Sequence, residues 1–365
     1  MVKRFSWLLF AVSLLFFSSG AYANEDDTYV SEEVADEIVK DYIKKFKFDV
    51  SLEDKQDVVE LYDTNDEHIG YYYELENEES YFFIVSANTD YSPVFAAGKG
   101  KIKLQELEDD EKYYFLGNTS ILTSNDGNRL VKKINKGLQK KEKDIEFTIP
   151  KNREAKSIWE SYTTEEASDV STLRVDEDYL NVTRFTQWED GVNNPASSCG
   201  PATIAAIAEY WRSKKGFDTI DGLDYFTRTE MINAIYKYHG GKSYGMSVSN
   251  VRSGLKSYIN RGHTHTVSTD SFNSFSTYKY EIGRSRPLAV KFDQYFTFFE
   301  PDAEYAYDYH WTVGVGYLED GTDKYLYIQD NGIGYTDGTW DWSKELYIDY
   351  TTNKPIITMV SLEVS

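Results

Sequence analysis

A single cysteine, Cys199, occurs in 365 residues. That count rules out any intramolecular disulfide, so the fold has to stand on its hydrophobic core alone. The chain is long enough for two such cores or one large one. With 41% apolar and 16% aromatic residues, its composition is globular rather than disordered. Tyrosine, at 31 copies, is the outlying residue. It favours sheets with one half-wet face, so substantial β structure is expected.

The first residues have the layout of an export signal. Lys3 and Arg4 precede an apolar run from Leu8 to Phe17, and Ala21-Tyr22-Ala23 supplies small residues where a signal peptidase inspects them. A run of about ten apolar residues is too short for a bilayer, which needs roughly 20. Residues 1–23 are therefore expected to be a cleaved signal peptide, and the protein secreted, extracellular or cell-envelope associated, with no membrane partner. A net charge of −22 argues against nucleic acid and against an anionic membrane. An unpaired cysteine in an exported chain is buried and inert, bonded to another molecule, or kept for its reactivity.

Beyond the signal the pattern divides. Val34, Ile38, Tyr42 and Ile43 fall at helical spacing within residues 30–48, with Ser31 placed to cap. Strand-like runs follow at Val58 to Tyr62, Tyr71 to Leu75, Tyr81 to Val85 and Val94 to Ala97, separated by polar turns. One helix and a meander of short strands predict a small α+β domain over residues 24–150. Near its end, seven bases lie among the fifteen residues from Arg129 to Lys143 and read as a part-helical, solvated tether. Residues 151–180 show little periodicity and are expected to be a linker.

Residues 181–365 have another texture. Ala202 to Trp211 is apolar nearly all round except for Thr203 and Glu209, which predicts a central helix. Thr227 and Glu230 stand at capping-box spacing ahead of Met231 to Tyr238. Further helices are expected at Val251 to Ile259 and from about Phe272 to Ile282, then strands at Leu288 to Phe292, His310 to Tyr317 and Tyr325 to Gln329. Helices first and an antiparallel sheet afterwards is an α+β arrangement.

Cys199 opens the central helix, after Ser197-Ser198 and before Gly200-Pro201. Helix starts favour a thiolate, and proline is tolerated in a first turn. Gly200 leaves room beside the sulfur for a substrate backbone. A buried, inert cysteine is the competing reading. A thiolate also needs an imidazole, and five histidines are available. His68 sits near a turn, and His239 ends a helix, where a C-terminal charge partner is the ordinary role. His263 and His265 alternate but lack a third ligand, so no metal is expected. His310 opens a strand whose Gly314 and Gly316 leave one face bare, as close packing against the nucleophile helix requires. Asp330 ends the next strand, so a hairpin sets it beside His310; Asn331, one residue on, is the alternative. Gln187, twelve residues before Cys199, is placed to supply an oxyanion donor beside the Cys199 N–H.

Gln187, Ser198-Cys199-Gly200-Pro201-Ala202, Arg284-Ser-Arg-Pro-Leu-Ala-Val, His310-Trp-Thr-Val-Gly-Val-Gly-Tyr and Asp330 together resemble the papain-like peptidases related to bacteriocin-leader (double-glycine) peptidases. The resemblance covers residues 183–335. It departs at Asn331, where that family has proline, and at an acidic-aromatic insertion from Asp293 to Tyr309. It implies a papain-like α+β fold, a Cys199–His310–Asp330 triad with Gln187, a protein or peptide substrate, and no cofactor. Residues 71–97 weakly resemble the propeptide of streptopain-type cysteine peptidases, which implies an inhibitory pro-domain bound intramolecularly. Other thiol acyl-transfer chemistry, such as transglutamination or amidohydrolysis, and a non-catalytic exported binding protein on the same fold remain the alternatives.

Overall fold

The computed structural model describes residues 28–137, 147–163, 175–217, 227–259, 265–293, 309–334, 340–341 and 344–365. The expected signal peptide, residues 138–143 of the basic stretch, His263 and residues 294–308 of the insertion lie outside them.

Helix α1 (Glu32–Lys45) buries Ala35, Ile38, Val39, Tyr42 and Ile43, with acids in its first turn and lysines in its last. That is the charge order a helix dipole favours. Strands β1 (Lys55–Tyr62), β2 (His68–Glu76), β3 (Ser80–Ser86), β4 (Val94–Lys99), β5 (Lys112–Phe115) and β6 (Ile121–Ser124) follow, then α2 (Gly127–Gly137). Strand alternation sends Tyr71 and Tyr73 into the cluster under α1, and Tyr72 and Phe82 into the larger core on the other face. The half-wet tyrosine faces expected from composition form only in part: Tyr62, Tyr113, Tyr327 and Tyr347 are half-buried strand residues, and others are fully enclosed. Tyr42, Tyr72, Tyr73, Tyr81, Tyr114, Tyr278 and Tyr325 are each less than 2% exposed. Their neighbour Tyr71 shows why this is tolerated: its hydroxyl donates to Val30 O at 3.0 Å, and that of Tyr72 to Ile102 O at 3.3 Å. A satisfied hydroxyl removes most of the cost of burying it.

The chain continues through α3 (Lys156–Thr163), β7 (Asp176–Tyr179), α4 (Cys199–Lys215), α5 (Arg228–Tyr238), α6 (Val248–Ile259), β8 (Val267–Phe272), α7 (Phe275–Gly283), β9 (Leu288–Asp293), β10 (Tyr309–Asp320), β11 (Asp323–Gln329), β12 (Ile333–Gly334), β13 (Trp340–Asp341), β14 (Glu345–Asp349), α8 (Tyr350–Asn353) and β15 (Ile357–Val364). Within the stretch expected as a linker, α3 buries Trp159, whose indole N–H donates to Tyr91 O at 2.8 Å, and β7 pairs with β10.

One sheet runs through both halves in the order β6-β5-β1-β2-β3-β4-β14-β11-β10-β9-β15-β8, with β7 also on β10. The join is antiparallel, with Ala96 opposite Ile348 and Gly98 opposite Leu346. Side chains lock it. Tyr42 donates to Asp323, Lys45 Nζ lies 3.0 Å from Asp320 and 2.9 Å from Asp323, and Tyr325 donates to Val94 O at 3.0 Å. The main core likewise draws on both halves, from Leu61 and Phe95 to Ile328 and Leu346.

Candidate active site

Helix α4 begins at Cys199, carries Pro201 in its first turn, and ends at Gly216 in the left-handed conformation. It is buried nearly all round, from Ala202 through Ala208, and packs on β9 and β10. The backbone N–H groups of its first turn, and the dipole behind them, favour negative charge at the sulfur. Cys199 itself is 4% exposed.

His310 is the second residue of β10, opposite Phe292 on β9. Its Nε2 lies 3.3 Å from Asp330 Oδ2, within ion-pair range though off the line of an aligned hydrogen bond. Burial alone would push the His310 imidazole down. The Asp330 carboxylate and the neighbouring Cys199 side chain outweigh it and carry the ring up to about 10. With Nε2 turned to Asp330, Nδ1 is the nitrogen left for the thiol. The β10–β11 pairing, Val313 opposite Gln329, brings Asp330 level with the start of β10. Asp330 is held in turn: its N–H donates to Lys344 O at 2.8 Å and its Oδ1 accepts from the Gly332 N–H at 2.7 Å.

Asn331 points elsewhere. Its Nδ2 is 3.1 Å from Cys199 O, 2.7 Å from Thr203 Oγ1 and 2.7 Å from Trp311 O. Gln187 is clipped beside it by a backbone N–H to Asn331 O at 2.9 Å. The Gln187 Nε2 donates to Pro195 O at 2.9 Å, in the turn that leads into Cys199. A side-chain amide has two N–H groups, so the second remains for a ligand among the described residues. Cys199, His310, Asp330 and Gln187 thus converge where α4, β10 and the segment after β11 meet.

Two expectations about glycine are corrected. The bare face of β10 does not admit helix α4: a Cβ at Gly314 would meet the Tyr278 ring of α7, and one at Gly316 the Asp178 carbonyl of β7. Nor is the space over Gly200 open to a substrate backbone, since the Met246 side chain fills it, 3.0 Å from where a Cβ on Gly200 would stand. Met246 belongs to a crossing that sequence reasoning passes over, although Gly240, Gly241 and Gly245 mark it. The residues flanking His310 hold it down: Tyr309 donates to Tyr244 O at 2.7 Å and Trp311 to Met246 O at 2.9 Å.

The other described histidines stand apart. His68 Nε2 lies 3.0 Å from Gly70 O, and His265 packs on Phe217. His239 is not the cationic helix-end partner expected, because burial lowers its pKa and favours the neutral ring.

Residues 179–350 match the Peptidase_C39 like family. A C39-like peptidase candidate from Bacillus anthracis is similar at 12% identity, covering 52% of this chain and 98% of its own, with a TM-score of 0.33. UfSP from C. elegans is similar at 9% identity, covering 54% of this chain and 36% of its own, with a TM-score of 0.31. No curated protein matches the chain. With a cysteine-bearing central helix packed on an antiparallel sheet, the chain has an α+β fold that, over residues 179–350, resembles the papain-like C39 cysteine peptidases.

Proposed function

We propose that this chain is a secreted cysteine peptidase that hydrolyses peptide bonds through a thioester, made as a precursor with its N-terminal half attached. The observation that carries the reading is a thiol at a helix start beside an imidazole that faces a buried carboxylate at 3.3 Å. In the proposed cycle the Cys199 thiolate attacks the scissile carbonyl. The oxyanion is met by the Cys199 N–H and the Gln187 amide, and the His310 imidazolium protonates the leaving amine. Water, deprotonated by the now neutral His310, then releases the acyl group, and Asp330 fixes the ring throughout.

The N-terminal half is suited to modulate this site. Lys344, whose carbonyl receives the Asp330 N–H, donates from its side chain to Lys101 O at 2.6 Å. The catalytic groups are also buried, none more than 7% exposed, which suits a precursor whose N-terminal half keeps protein substrates out while small thiol reagents still enter. Incubating wild type beside Cys199→Ala tests it: wild type alone should shorten by mass spectrometry, starting from an N-terminus at Asn24 after export. Identical processing of the two would remove autocatalysis, and ammonia release without peptide cleavage would favour an amidohydrolase.

Gln187→Ala should lower kcat by about 10²–10³-fold with the fold intact, as loss of an oxyanion donor does; an unchanged kcat would remove Gln187 from the chemistry. The pH profile should hold through neutrality and fall toward about 10, where His310 gives up the proton the leaving amine needs. That folded value lies above the unfolded one of about 6.5, so the ring's stabilising contribution is complete below about 6.5 and is lost as pH rises toward 10. Measured kcat/KM that already collapses between pH 7 and 8 would contradict this.

A further inference from the structure

Asn331 is 1% exposed and bonded on both its backbone and its side chain. Its backbone carbonyl accepts the Gln187 N–H and the Thr186 hydroxyl, each at 2.9 Å, which occupies both lone pairs. Its side-chain Nδ2 has two hydrogens for three acceptors: Cys199 O in the first turn of α4, Thr203 Oγ1 one turn on, and Trp311 O next to His310. One of those hydrogens is therefore shared. Asp330 is its neighbour in the chain. This one residue thus bonds to Gln187 and Cys199 directly and to Trp311 beside His310, and it is itself the chain neighbour of Asp330.

We propose that Asn331 is a positioning residue that fixes the nucleophile helix, the histidine strand and the oxyanion segment relative to one another. The proposal rests on the reading of Cys199 as nucleophile. Its physical basis is the steepness of proximity effects: a misplacement of about 1 Å, caused away from the reacting atoms, can cost about 10²-fold in rate. Asn331 has no contact with the reacting atoms in this scheme. It is not the third member of the triad, because its amide is spent on the helix and strand backbones while Asp330 faces the ring.

The experiment uses the full-length protein and iodoacetamide, with Cys199 as the only thiol to be alkylated. Asp330 and Cys199 are the titratable groups that bear on the His310 ring, so the alkylation rate at pH 6 reports how well thiol and imidazole are paired. An ordinary thiol, with a pKa of about 8.5, is less than about 1% ionised at that pH. Asn331→Ala and the isosteric Asn331→Asp, which cannot donate to the two carbonyls, should each lower the pH 6 rate by about 10²-fold. At pH 9 both should stay within about threefold of wild type, and hydrolysis should follow the pH 6 values. Folded variants that keep the wild-type rate at pH 6 would overturn the proposal, and so would failure of both to fold, which would make Asn331 a folding residue. A wild type that itself reacts at pH 6 no faster than an ordinary thiol overturns the nucleophile reading as well, so the two failures are distinct.

Discussion

Cys199→Ser is expected to lower hydrolysis of a denatured protein substrate by about 10⁴-fold or more, with the fold retained. The loss follows from the nucleophile: a serine hydroxyl in the same place has no base strong enough to ionise it, because His310 already carries its proton up to about 10. Single removals from a triad cost about as much as removing the whole unit, and what survives comes from the oxyanion site and binding. The fold tolerates the change because Cys199 is in no disulfide. Exchange of sulfur for oxygen at a site 4% exposed costs about 1–3 kcal/mol if the hydroxyl finds no partner. Wild-type activity in Cys199→Ser would remove the thioester from the account.

Lys45→Ala is expected to destabilise the whole chain by about 3–5 kcal/mol in urea titrations, because it leaves Asp320 and Asp323 uncompensated in the join between the two halves. The lysine and Asp320 side chains are each 14% exposed and that of Asp323 is 1% exposed, so water cannot replace the ammonium. Burial alone would lower the Lys45 pKa, but Asp323 and Asp320 more than reverse it. With the folded value above the unfolded one of about 10.4, the lysine's contribution is complete below that pH and is lost as pH rises through the folded value. The deficit should therefore be constant across neutral pH. Lys40→Ala, which removes a partner of Glu37 with both side chains more than half exposed, should cost under about 1 kcal/mol. Equal effects of the two substitutions would mean that the buried cluster does not hold the halves together. So would a wild type whose halves unfold in two separate transitions.

Much of the local structure is legible in the sequence. The apolar spacing of α1, the all-round apolar run of α4 and the alternation of β10 are short-range patterns, and the hairpin logic that pairs His310 with Asp330 needs only adjacent strands. The sheet that crosses from β4 to β14 is not legible, because Ala96 and Ile348 are partners 252 residues apart, and nothing local specifies such a pairing. Strand β7, Asp-Glu-Asp-Tyr, is exposed along its length and carries no apolar signal. The end of strand β8, Val-Ser-Thr-Asp-Ser-Phe, reads as the start of α7, since hydroxyl residues also read as a helix cap and Ser274 is indeed that cap. Asn331 is open as a triad alternative at the level of sequence because spacing along the chain cannot tell which of two neighbouring side chains turns toward a ring. The contacts decide it: Asp330 faces the His310 ring, while the Asn331 amide is taken up by Cys199 O, Thr203 and Trp311 O.

The most direct measurement is labelling of the full-length protein by an epoxide probe for cysteine peptidases, followed by intact mass and peptide mapping at neutral pH. The expected result is a single adduct on Cys199 in wild type, formed at least about 10²-fold more slowly in His310→Ala. An unlabelled wild type, or equal labelling of the two proteins, would contradict the account.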